Sequence, residues 1–238
     1  MGEKTDVVNF LGLNFNLTNC ISGTLAALVI VGFLIYLSRD IRMKPGKKQN
    51  VLEAMINFTD GIVKDNVQDV DAQKHLSLYA FTLFLFIFFM NQLGLFLELT
   101  VNDHVVVKSP TASPLITMTM AMMTLLLSYS FAMQRFGVKG YLKNYAAPVS
   151  FLLPINFIEE FTNFLTLSLR LYGNIYAGEV LLTLIGNTFA PSSGVITYIA
   201  SVPLTLIWQG FSVFIGSIQA YVFVTLSMVY IGRKVIQE

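Results

Sequence analysis

Apolar runs recur along this chain at about residues 21–37, 76–97, 114–133, 149–186 and 195–231, each at least as long as the ~17 residues needed to cross a bilayer core of ~30 Å. Short polar or basic stretches separate them. Residues 50–74 differ: Val51, Met55, Ile56, Phe58, Ile62, Val63 and Val67 recur at helical spacing among charges. That pattern predicts an amphipathic helix on or near a membrane face, with a soluble-style hairpin as the other reading. The last two runs exceed an upright span. A helix of roughly 37 residues rises ~55 Å, so residues 149–186 either break at Pro154 or lie strongly tilted. Pro203 either kinks the last helix or marks the start of its span. The expected fold is all-α, a single membrane domain over residues 1–238 with five transmembrane helices plus one amphipathic interfacial helix.

Charge sets the expected orientation. Arg39, Arg42, Lys44, Lys47 and Lys48 follow the first run, Arg135, Lys139 and Lys143 follow the third, and Arg233 and Lys234 close the last. By the positive-inside rule these ends are cytoplasmic and the N-terminus lies outside. The loop at 100–113, with Asp103, His104 and Lys108, reads as external. The polar start, residues 1–20, lacks a basic n-region and a small-residue cleavage site, so the first run reads as a retained span.

Composition narrows the class. Of 238 residues 55% are hydrophobic and 12% charged, against roughly 25% charged in soluble domains, which argues against a soluble core. The net charge of +1 offers no electrostatic footprint for nucleic acid. Cys20 is the single cysteine, and His75 and His104 lie far apart, so neither a disulfide nor a metal-ligand spacing is present. No cofactor is expected.

Residues 154–185 break the apolar pattern with Glu159, Glu160, Asn163, Arg170, Asn174 and Glu179. A charge at the bilayer centre costs at least ~2.5–3.5 kcal/mol on insertion scales. On a helix with Arg170 at zero, Asn163 falls at about +20°, Glu159 at about −20°, and Asn174 and Asn156 at about +40°, whereas Glu179 falls near 180°. Glu159, Arg170 and Glu179 are separated along the axis by roughly 16 Å and then 13 Å, which is not a salt-bridge spacing. In the last run Ser212, Gln219 and Tyr230 lie within about 20° of one another. Polar seams facing different ways on two long helices describe an interrupted ion path. A fixed arginine repels cations in a continuous pore, yet blocks leakage and attracts a partner's carboxylate.

The stretch SLRLYGNIYAGE, residues 168–179, resembles subunit a of the F-type ATP synthase. The resemblance extends in chain order to Asn91-Gln92-Leu93-Gly94-Leu95, Ser109-Pro110-Thr111-Ala112 and Ser217-Ile218-Gln219-Ala220-Tyr221-Val222-Phe223. It implies that Arg170 is the family's essential arginine, that Asn174 and Gln219 are its polar neighbours, and that Glu179 serves the half-channel open to the outside. It also implies that the last two helices are long, tilted and curved against a c-ring. Three positions depart from the family pattern. Asn156 stands where many members have a carboxylate, so Glu159 or Glu160 is expected to serve the cytoplasmic half-channel. Ser212 aligns where many bacterial members have a histidine that pairs with the Glu179 position. Ser113-Pro114 follows where an aspartate is common.

The implied partners are the c-ring opposite Arg170, the b subunits of the peripheral stalk, the rest of the synthase and the lipid bilayer, in a bacterial plasma membrane. The implied role is non-catalytic: two offset half-channels pass protons to and from c-ring carboxylates, with no covalent chemistry on this chain. The alternative is an independent secondary transporter, which normally shows two related halves with broken helices; no internal symmetry is visible. A purely structural scaffold leaves Arg170 and Glu179 without a purpose.

Overall fold

The structure, a computed structural model, describes residues 7–10, 13–39, 41–96, 99–101, 104–107, 109–145, 153–188 and 195–236. Six α-helices carry the chain: α1 (Leu17–Ser38), α2 (Lys47–Asn66), α3 (Val70–Phe96), α4 (Pro114–Tyr145), α5 (Leu153–Thr188) and α6 (Val195–Ile236). Among the described residues α1, α3, α4 and α6 contain stretches long and apolar enough to cross a membrane. The polar residues of α5 keep it out of that set.

Two stretches expected to be irregular form antiparallel hairpins. β1 (Val7–Phe10) pairs with β2 (Leu13–Asn16), Val7 opposite Asn16 and Phe10 opposite Leu13. β3 (Leu99–Val101) pairs with β4 (His104–Val107), with an irregularity between Leu99 and Thr100. Both sequences are short and rich in valine, which suits a pleated strand. A 3₁₀ turn, Pro110–Ala112, follows β4.

Capping explains where the helices differ from the expected spans. Asn16 accepts the Asn19 backbone N–H at 3.4 Å, so α1 begins at Leu17, ahead of its apolar run. The single helix expected over 50–74 is divided. Asp69 Oδ1 accepts the Asp71 N–H at 3.0 Å, and the Gln73 side chain donates to the Val67 carbonyl at 2.6 Å. An aspartate just before Val70 thus starts a new helix, and its polar first turn belongs to α3. The third run continues well past Met133, through the basic segment read as a loop, and breaks at Gly137, whose φ of 70° and ψ of 163° lie outside helical space. α5 does not break at Pro154, the second residue of the helix, where the missing N–H costs no bond. α6 runs through Pro203 as one element of 42 residues. The start of the fourth run at 149–152, and most of the uncharged turn predicted at 187–194, lie outside the described residues.

The chain resolves into two compact units, to which α1, α3, α5 and α6 each contribute. The first comprises Met1–Ile30, Phe86–Ser113 and Leu171–Ala220. Its interior is unusually polar for a membrane helix packing. Asn91, fully buried, donates to the Gly216 carbonyl at 3.0 Å and accepts from Thr111 at 2.9 Å. Gln92 donates to the Val213 carbonyl at 3.2 Å and lies 3.0 Å from the Ser217 hydroxyl, while Gln209 donates to the Leu95 carbonyl at 2.9 Å. A side chain on Gly94 would collide with Ser109. The Asn91-Gln92-Leu93-Gly94 motif therefore fastens α3 to α6 and lets the Ser109 turn approach. Leaving one such buried group unpaired costs ~1–3 kcal/mol.

The second unit comprises Val31–Leu85, Pro114–Arg170 and Tyr221–Glu238. Val63, Val67, Leu76, Leu85, Phe223, Val224, Met228 and Ile231 are buried in it. Tyr79 and Thr124 share a hydrogen bond of 2.8 Å between α3 and α4, and Phe58 packs on Phe84 and Tyr221. Arg135 pairs with Asp69 at 2.7 Å.

Candidate functional site

In the second unit α5 carries Glu159, Glu160, Asn163 and Arg170. Arg170 is exposed and has no ion-pair partner among the described residues. Tyr230 of α6 lies within electrostatic reach of Arg170, Arg233 and Glu159. Asn163, on the stripe of Arg170, is half-buried. The two neighbouring glutamates have different surroundings. Glu159 is exposed and lies 3.8 Å from Arg233, itself exposed. Glu160 is tucked inward, where it pairs with Lys234 of α6 and accepts a hydrogen bond from the Tyr129 hydroxyl of α4. Lys234 also sits 3.5 Å from the centroid of the Tyr129 ring.

In the first unit the structure brings together Asn174 and Gln219: the Asn174 amide donates to Gln219 Oε1 at 2.7 Å. Gln219 is 3% exposed, and its Nε2 finds no hydrogen-bond partner among the described residues. Glu179 is half-buried on α5. Ser212 faces the residue before it: a Cβ on Gly178 would lie 3.5 Å from Ser212 Oγ. Trp208 donates to the Gly178 carbonyl at 3.3 Å. Beside them is a cavity of about 260 Å³, lined by Leu95, Asn174, Gly178, Trp208, Phe211 and Ser212 among others. The Ser212 hydroxyl is buried and likewise unpartnered among the described residues. A cavity of this size with buried, unsatisfied polar atoms can hold water. Such an arrangement offers hydrogen-bonding atoms to water.

Sequence reasoning missed Tyr129, Lys234 and Trp208 as site neighbours. Tyr129 and Trp208 sit in apolar runs, where the only signal is that a phenol O–H or indole N–H in lipid needs an acceptor. Lys234 served only as an orientation marker, although a basic residue at the end of a span also reaches neighbouring carboxylates.

The comparisons with known proteins agree along the chain. Residues 20–232 match the family described as ATP synthase A chain. The chain is similar to ATP synthase subunit a of Pediococcus pentosaceus, 50% identical over 238 residues that cover 100% of this chain and 99% of the relative. It is also similar to ATP synthase subunit a of Limosilactobacillus fermentum, at 50% identity over 238 residues and the full length of both. For the Enterococcus hirae protein of that description the identity is 47% over 237 residues, 99% of this chain and 98% of the relative. With matches that span the arginine-bearing helix and the polar α3–α6 contacts alike, this chain belongs to the ATP synthase A chain family.

Proposed function

We propose that this multi-pass membrane chain acts as the stationary proton-channel subunit of the membrane sector of an F-type ATP synthase, with Arg170 opposite a c-ring. The observation that carries the proposal is the exposure of Arg170 on a helix of 36 residues, with no ion-pair partner among the described residues. A guanidinium so placed in a membrane calls for an acid partner, and a rotor carboxylate supplies one. The independent-transporter reading has no observation in its favour.

Five helices, α1, α3, α4, α5 and α6, cross the membrane in this reading. α2 lies along the cytoplasmic face, and α5 and α6 lie tilted against the ring. The N-terminus is outside and the C-terminus cytoplasmic, in a bacterial plasma membrane. A proton enters past Glu179 and the cavity beside Ser212, and neutralises a rotor carboxylate. The neutral acid rotates into lipid, where its charged form is too costly. After nearly a full turn it meets the cytoplasmic passage near the carboxylates Glu159 and Glu160, and loses its proton as it approaches Arg170. Asn174, Gln219 and Asn163 are the polar neighbours that shape this approach. Opposite charge in a low-dielectric setting favours the ionised acid there. Each proton supplies ~2.3 kcal/mol per 100 mV, so several are summed by rotation for one ATP. Chemistry on this chain is confined to proton transfer, and b subunits of a peripheral stalk hold it against the torque.

Cysteine cross-linking in native membranes tests the reading. With Cys20 replaced, single cysteines beside Arg170 are expected to cross-link to the ion-binding helix of the c-ring and to block rotation. Absence of such cross-links, together with solute movement by the purified chain alone in liposomes, would overturn it.

A further inference from the structure

Neighbouring glutamates on one helix point about 100° apart, and here the two surroundings differ in kind. The Glu160 side chain is 18% exposed and its partner Lys234 12%. One carboxylate oxygen faces the Lys234 ammonium, the other accepts the Tyr129 hydroxyl, and the ammonium lies over the Tyr129 ring. Each member of this cluster contacts the other two, and each comes from a different helix: α4, α5 or α6. Water has little access, and the carboxylate oxygens already face the ammonium and the phenol. Glu159 is the opposite case. Its side chain is 58% exposed, and it sits 3.8 Å from Arg233, whose side chain is 67% exposed. It lies about 20° from Arg170 on the helical stripe, whereas Glu160 lies about 80° away. Tyr230 is within electrostatic reach of both Glu159 and Arg170.

We infer that the glutamate pair divides its labour: Glu159 is the group that takes the departing proton and hands it to cytoplasmic water, and Glu160 is a positioning residue that latches α4, α5 and α6 through Tyr129 and Lys234. The inference rests on the proton-channel reading above and specifies its cytoplasmic side. The step balances simply. The rotor acid loses a proton and becomes a carboxylate facing Arg170; the Glu159 carboxylate gains that proton and then releases it to water, returning to its charged form. Glu160 takes no part in this transfer.

The test uses intact synthase complexes carrying variant chains in liposomes, with ATP-driven acidification and the amount of assembled chain measured on the same preparation. Glu159→Gln is expected to assemble at the wild-type level and to lower proton pumping by about 10²-fold, the lower end of what a positioned proton-transfer group contributes, and Glu159→Asp to recover most of it. Glu160→Gln alone leaves the Lys234 charge buried without its partner and is expected to lower assembly. Glu160→Gln combined with Lys234→Gln keeps an acceptor for Tyr129 without either charge, and is expected to restore assembly. Wild-type pumping by Glu159→Gln, or a Glu160→Gln/Lys234→Gln double variant that assembles no better than Glu160→Gln alone, would overturn the division. Arg170→Ala serves as the separate control: if it pumps at the wild-type rate, the channel reading itself fails whatever the glutamate variants do.

Discussion

Arg170→Ala is expected to abolish ATP synthesis driven by a proton gradient, because on the proposed role it removes the charge that makes a returning rotor acid give up its proton. The guanidinium is exposed on α5 without an ion pair among the described residues, so little of the chain's own packing depends on it. Assembly is therefore expected to survive while coupling is lost. Arginine suits the position because it keeps its proton. Arg170→Lys places there an ammonium that can deprotonate in a desolvated setting, and is expected to raise passive proton leak as well as to lower synthesis. Synthesis and passive conductance in inverted vesicles, each normalised to assembled chain, check both variants. Proton-driven synthesis near the normal rate in Arg170→Ala would sink the assignment of this residue.

Glu179→Gln is expected to cut proton flux by about 10²-fold, the lower end of what a positioned proton-transfer group contributes, with assembly unchanged. Glu179 is half-buried on α5. It follows Gly178, whose carbonyl accepts the Trp208 indole N–H and whose α-carbon faces Ser212 beside the 260 Å³ cavity. No histidine stands at Ser212, so on the proposed path Glu179 and water are expected to carry the proton past this point. Removing that carboxylate leaves no other acid on the stretch 161–236. Glu179→Asp, which keeps the acid one methylene shorter, is expected to retain a substantial part of the flux. Acidification on ATP addition and flux under an imposed potential, each normalised to assembled chain, separate slowed transfer from lost assembly. Unchanged flux in Glu179→Gln would remove this residue from the outer passage.

Much of this arrangement was legible in the sequence because lipid leaves few options. Long apolar runs must be helices, as every backbone group has to be satisfied within the segment, and the runs containing α1, α3, α4 and α6 emerge as helices. Arg170, Asn174, Glu179 and Gln219 stood out because polar groups in such runs are costly. The boundaries were harder. Asp69 starts α3 by a local side-chain bond that competes with a helical periodicity running through it, and hydrophobic spacing alone does not register a cap. The basic segment after Met133 is helical up to Gly137 and beyond, because charge marks the side of the membrane and not the end of a helix. Tyr129 and Lys234 escaped notice as partners of Glu160 because they are distant in sequence and meet only once three helices pack.

The exclusion of α5 from the helices apolar enough to cross alone bears on how the protein is made. Arg170, Glu159, Glu160 and Glu179 each oppose partition into lipid by ~2.5–3.5 kcal/mol at depth, so during synthesis this helix gains little by leaving the translocation machinery unaccompanied. α6 carries no charge before Arg233 and partitions readily. On the reading in which α5 crosses, the order of synthesis then matters: α5 is expected to wait for α6 and to enter with it as a hairpin. A nascent chain halted after residue 190 is expected to leave α5 extractable by alkali, and one extended through residue 236 to hold it in the bilayer. Retention at the shorter length would show that neighbouring helices already made are enough to bring the arginine in.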